Sequence, residues 1–195
     1  VANNIAVTVS NLTLGGSDAQ NYNVTGGTPS FSGQANITQA AVTITAAAQS
    51  KVYDGNMTVS NASGYTVTGS LASGESLTAS LAYTDKNAGA NKTIAVSNAT
   101  AGANTSLSNY NVSYVNNTAS TISKKDITSI TGVTLSDKTY DGTLNASFNV
   151  SNATFTGKVV GDNLTLSGGT GGFATKNVAN NIAVTVSNLT LGGSD

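Results

Sequence analysis

Short apolar runs with a period of two dominate the chain. Ile182, Val184 and Val186 alternate with Ala183, Thr185 and Ser187; the phase then shifts at Ser187 and Asn188 and resumes with Leu189 and Leu191. Successive side chains of a strand point to opposite faces, so this pattern predicts half-buried strands and the shift predicts a β-bulge or turn. Val42 and Ile44, Val67 and Leu71, Leu77 and Leu81, and Leu164 and Leu166 show related spacing between clusters of Gly, Asn and Ser. No stretch combines helical apolar spacing with caps. The pattern predicts an all-β protein built of tandem small antiparallel β-sandwich domains, Ig-like, in an elongated array; β-grasp-like repeats or a β-solenoid are the alternatives.

The strands recur at two longer periods. VANNIAVTVSNLTLGGSD stands at Val1 to Asp18 and again at Val178 to Asp195, offset by 177 residues, and a looser repeat of about 88 residues runs between. Residues 41–126 form one complete unit, 1–40 the C-terminal part of a truncated unit and 127–195 the N-terminal part of the next, of the same type as 1–40. The sequence is expected to continue AQNYNV after Asp195, and each incomplete piece is expected to need a neighbouring segment to complete its sheet. The junctions, Asn36 to Gly55 with no Gly or Pro before the turn and Thr121 to Gly142 with only Gly132, are unlike Gly- and Ser-rich flexible linkers and predict strands running from unit to unit as a stiff rod.

KVYDG and KTYDG, the Gly-Glu or Gly-Asp steps at Gly74 to Leu77 and Gly161 to Leu164, DKN and TKN at Asp85 to Asn87 and Thr175 to Asn177, and NYNV occur in order along the chain. Together they resemble the YDG and related MBG-type repeats of filamentous-haemagglutinin-like bacterial surface adhesins. Where such repeats often have Pro after Ile-Thr at the boundary, this chain has Gln39 and Lys124. The resemblance implies an extracellular, cell-surface setting and a stalk or fibre role in adhesion or biofilm matrix. Its implied partners are neighbouring repeats of the same chain or identical chains, with host or bacterial surface glycans as ligands.

Composition narrows the chemistry. His, Cys and Trp are absent, all eight basic residues are Lys, and Glu75 is the only Glu. The usual acid, base and nucleophile sets cannot be assembled, so no enzyme and no catalytic residue is expected. Thiolate and imidazole metal sites are excluded. A net charge of −1 gives no reason to bind nucleic acid, and no apolar run suggests membrane insertion.

At Tyr53, Asp54 and Gly55, and again at Tyr140, Asp141 and Gly142, Asp-Gly after a strand predicts a structural turn, with the Tyr ring over a sheet edge or unit interface. Calcium on the two Asp carboxylates is the functional alternative, but hard cations want several oxygens and no acidic cluster is near; no other cofactor is expected. Lys51, Lys138, Lys86 and Lys176 recur and read as solvated lysines beside turns, with a Lys-Asn crosslink as the alternative.

Asn-x-Ser/Thr occurs at Asn11, Asn23, Asn36, Asn56, Asn61, Asn91, Asn98, Asn104, Asn111, Asn116, Asn145, Asn149, Asn152, Asn163 and Asn188. Random placement would give roughly 6 to 7 such sites. One reading is N-linked glycosylation. The other is that strands beginning after Asn turns place Ser or Thr two residues on, on the same face.

Overall fold

The computed structural model describes residues 1–25 and 30–194; Asp195, the last residue of the repeated phrase and of the 127–195 segment, lies outside the described residues. The described residues form β1 (Ala2–Val9), β2 (Phe31–Ile37), β3 (Ala40–Ala46), β4 (Ser50–Val52), β5 (Tyr65–Gly69), β6 (Leu77–Tyr83), β7 (Gly89–Ala101) and β8 (Tyr110–Val115). The chain continues through β9 (Asn117–Ser123), β10 (Ser129–Thr131), β11 (Thr134–Leu135), β12 (Asn145–Ala146), β13 (Phe148–Asn149), β14 (Thr154–Thr156), β15 (Leu164–Phe173) and β16 (Val184–Gly193). Two single turns of 3-10 helix, Ala19–Asn21 and Leu107–Asn109, are the helical structure among the described residues. The all-β expectation is met.

Two compact units divide the chain, neither of them one continuous stretch. The first comprises Val1–Ala47, Ala62–Leu81 and Ala95–Asn116; the second comprises Ala48–Asn61, Ala82–Ile94 and Asn117–Asp195. In the first, β1 pairs antiparallel with β2, and β3 lies between β5 and β8. In the second, β4 and β7 flank β9, β15 lies between β12 and β16, and β10 and β11 pair with β14 and β13.

The expectation of purely antiparallel sheets fails at two pairings. β3 runs parallel to β8, with Ala40 opposite Tyr110, and β4 runs parallel to β9, with Val52 opposite Ser123. Each pair thus points the same way, an arrangement that a hairpin cannot make and that requires the intervening strands as a crossover.

Alternation explains the core. Val42, Ile44 and Ala46 of β3 are buried at every second position, and Leu77, Tyr83, Ile94, Val96, Tyr110 and Ile122 are buried as well; among the described residues Leu166 is the one buried apolar residue outside 41–126. Leu71 follows the end of β5 and Ile182 precedes β16. The phase shift in the repeated phrase is real: Gly168 pairs with Leu189 and Thr170 with Ser187, leaving out the rung of Gly169 and Asn188. Both residues have left-handed backbone, φ +92° and 59°. The register is preserved while the side chains change face, so no extra residue is needed.

The phrase pairs differently in its two copies. As β1 it takes β2 as partner; as β16 it takes β15. Between residues 41 and 126 the corresponding strand, β7, has neighbours on both sides, β6 and β9. The register agrees at two rungs, since Ala2 opposite Ile37 and Ile5 opposite Ala35 correspond to Gly89 opposite Ile122 and Lys92 opposite Ser120, but not at a third: Ile94 stands opposite Asn117, where Val7 opposite Gly33 would place Thr118.

Candidate functional site

Each Tyr-Asp-Gly motif closes a turn around a lysine three residues before its Asp. Lys51 Nζ donates to Asp54 Oδ1 at 2.7 Å, to the Asn56 carbonyl at 2.8 Å and to Asn56 Oδ1 at 3.2 Å. Asp54 Oδ1 also accepts the Asn56 N–H at 3.1 Å, and Gly55 supplies φ +78°. These are the bonds of an Asx turn, which needs a residue tolerant of positive φ. The Tyr83 ring lies beneath the ammonium, 5.3 Å from its centroid, and its hydroxyl donates to the carbonyls of Gln49 and Thr121.

The second turn repeats the arrangement. Lys138 Nζ donates to Asp141 Oδ1 at 2.8 Å, to the Thr143 carbonyl at 2.8 Å and to Thr143 Oγ1 at 3.0 Å, over the ring of Phe173 at 5.5 Å. Asp141 Oδ1 accepts the N–H and hydroxyl of Thr143, each at 2.9 Å.

The expectation of solvated lysines is therefore wrong for this pair. The Lys51 side chain is 8% exposed and that of Lys138 24%. A buried ammonium needs an acceptor for each proton, and the turn provides three. A lysine at the third position before Asp in both motifs, with Asn or Thr two residues after, was the available signal.

The electrostatics follow. The hydrogen bond from Lys138, then those from the backbone and hydroxyl of Thr143, hold Asp141 down to about 2. At Asp54, partial burial opposes ionisation, but the Lys51 and Asn56 hydrogen bonds outweigh it and the pKa is lowered. Burial, then the Asp54 charge, raises Tyr83.

Calcium does not fit these turns. The carboxylate oxygen facing the pocket is committed to an ammonium, which fills the place a cation would take, and no cluster of three acidic or other ligating side chains occurs among the described residues. The two lysines do not share crosslink chemistry either, since Asn56 has Thr143 as its counterpart.

The two Tyr residues part company. Tyr53 is half-buried and its hydroxyl donates to Asp162 Oδ1 at 3.1 Å, whereas Tyr140 is 60% exposed. Tyr140 lines an open cleft of about 940 Å³ between residues 135–140 on one wall and Phe173 with residues 175–184 on the other.

All fifteen Asn-x-Ser/Thr asparagines are exposed. Asn11, Asn91, Asn98, Asn104 and Asn188 have positive φ, between 52° and 60°, a conformation that Asn tolerates better than other residues with a side chain. Others hold the backbone: Asn36 Oδ1 accepts the Asn4 N–H, Asn116 Oδ1 that of Val96, and Asn149 Oδ1 that of Ser151. At these positions Asn has a conformational task independent of any sugar.

No helix among the described residues is long and apolar enough to cross a membrane. No curated protein and no solved structure matches the chain. The family model for the YDG domain matches twice, over residues 38–119 and 123–195. Both matches contain one lysine-caged Tyr-Asp-Gly turn, and together they cover most of the sequence: the chain belongs to the YDG domain family.

Proposed function

We propose that the chain is a structural segment of a large repetitive bacterial surface adhesin or extracellular filament, whose repeats are Ig-like β-sandwiches joined end to end as a stalk. The observation that carries this reading is the recurrence of the YDG-domain match in tandem, over residues 38–119 and 123–195, with three residues between the two matches. Only two residues, Thr38 and Gln39, separate β2 from β3, which leaves little freedom at that junction.

The activity is mechanical: the segment spaces a distant binding tip from the cell or bundles into matrix. It is not an enzyme, for want of the side chains that acid, base and nucleophile chemistry needs. A glycan-binding module is the second reading, favoured by the exposed Tyr140 in an open cleft with Asn177, Asn180 and Asn181.

Small-angle scattering on proteins carrying one, two and four 177-residue periods tests the stalk. The maximum dimension is expected to grow in proportion to the number of periods. Growth as the square root of that number, or a compact particle, refutes it.

A further inference from the structure

We propose that the Tyr-Asp-Gly turn at residues 53–55 is a latch, and that its partner is the loop at residues 158–162 of the repeat that follows. The two pieces belong to different YDG-domain matches, 38–119 and 123–195, and both lie in the second compact unit. The Tyr53 hydroxyl donates to Asp162 Oδ1 at 3.1 Å, across 109 residues of chain. Gly55 backs onto the same loop, where an added Cβ would lie 2.9 Å from Val159 Cγ1. Tyr53, Gly55, Val159 and Asp162 are all half-buried, whereas Val160, on the outer side of the loop, is 99% exposed.

The turn does not need this contact to close. The cage around Lys138 has the same form with Tyr140 60% exposed and open space about Gly142. Gly55 and Gly142 share left-handed backbone, φ +78° and +76°, which accounts for a glycine at both. Asp and Lys fold the turn; the Tyr53 hydroxyl and the close approach at Gly55 serve the contact.

Both partners are held before they meet. The Tyr53 N–H donates to the Ser123 carbonyl at 2.8 Å, which ties the tyrosine to the last residue of β9, where the chain leaves for β10. On the other side the Asp162 N–H donates to the Val159 carbonyl at 3.2 Å and Lys158 Nζ to the Asp162 carbonyl at 2.8 Å, so the loop closes on itself and aims the carboxylate. Preordered pieces lose little conformational entropy on contact, and a hydroxyl bonded to a carboxylate holds more strongly than one between neutral groups. Glu75, the counterpart of Asp162, also accepts a tyrosine hydroxyl, that of Tyr110 in its own repeat. The acid at this place is thus a tyrosine acceptor in both matches, used within the repeat in one and across the boundary in the other.

Residues 124–128, between β9 and β10, belong to no strand, and the latch restrains the freedom that this link alone would leave. The use of such a restraint rests on the stalk reading above. Hydrogen exchange of the full chain tests it. Tyr53→Phe keeps the ring and removes the hydroxyl; the amides of residues 53 and 162 should exchange roughly two- to tenfold faster while those of β3 keep their rates. Asp162→Asn, which keeps an acceptor oxygen, should retain most of the protection that Asp162→Ala loses, and Tyr53→Phe combined with Asp162→Ala should do no more than either alone. Gly55→Ala and Gly142→Ala meet the same backbone strain, so Gly55→Ala should loosen residues 158–162 where Gly142→Ala does not, and Val159→Ala should relieve that effect.

Unchanged exchange at residue 162 in Tyr53→Phe, fully additive effects of Tyr53→Phe and Asp162→Ala, or equal effects of the two glycine variants on residues 158–162 overturn the proposal. Scattering from the proteins of one, two and four periods separates latch from stalk: compact particles in which the Tyr53 and Asp162 effects stay coupled refute the stalk and leave the latch standing.

Discussion

Lys51 and Lys138 are charges held inside a surface turn, and their value comes from the acceptors around them. Replacing Lys51 with Met strands the Asn56 carbonyl and leaves Asp54 without its counter-ion; about 1–3 kcal/mol should be lost in urea denaturation. Lys138→Met should cost less, because its side chain is 24% exposed against 8%. Protonation gives an independent check. Asp141 titrates near 2 instead of 3.8, so its contribution to stability is complete above the ordinary carboxylate range and fades as pH falls through about 2. Carboxyl chemical shifts of Asp141 should follow that value, and Lys138→Met should return the midpoint towards 3.8. The Asp-Gly turns were legible because turn chemistry is local. The cage was not, because a lysine's burial depends on a ring, Tyr83 or Phe173, about thirty residues further along the chain.

Among the elements, the two strand-end glycines Gly69 and Gly157 show how the repeat reuses one joint. Gly69 has φ +109° and an added Cβ would lie 2.4 Å from the Ala41 carbonyl oxygen; Gly157 has φ +100° and meets the Asp126 carbonyl at the same distance. The close approach lets the strand leave the ladder beside its neighbour. Gly69→Ala should therefore lower stability by about 1–3 kcal/mol, measured by thermal or urea unfolding. Period-two alternation located β3, β6 and β15 because each has one face on the core. It could not reveal that β3 and β8 are parallel, since strand direction is fixed by the crossover between them and not by any local pattern. Leu71 misled for a related reason: Gly69 ends the strand before the apolar spacing does.

At the scale of the whole molecule, the same eighteen residues take different partners, β2 in the first copy and β15 in the second. The periods were visible in the sequence, while the partner that each copy takes was not, because pairing is set by distant strands. The left-handed asparagines bear on such an array in another way. A chain rich in Val, Thr, Ile and Asn, with few charges and one Pro, has the composition of segments that stack into amyloid. Amyloid stacking requires six or seven residues in unbroken extended conformation on both sides of a steric zipper. In the folded chain β1 is broken at Asn4, β7 at Asn91 and Asn98, and β16 at Asn188, each by one left-handed residue that must return to extended backbone before it can join a cross-β layer. β7 and β16 carry such an asparagine, while β15, as long as β16, is interrupted at Gly168 and Gly169 instead, so the longest strands must all rearrange before they can stack.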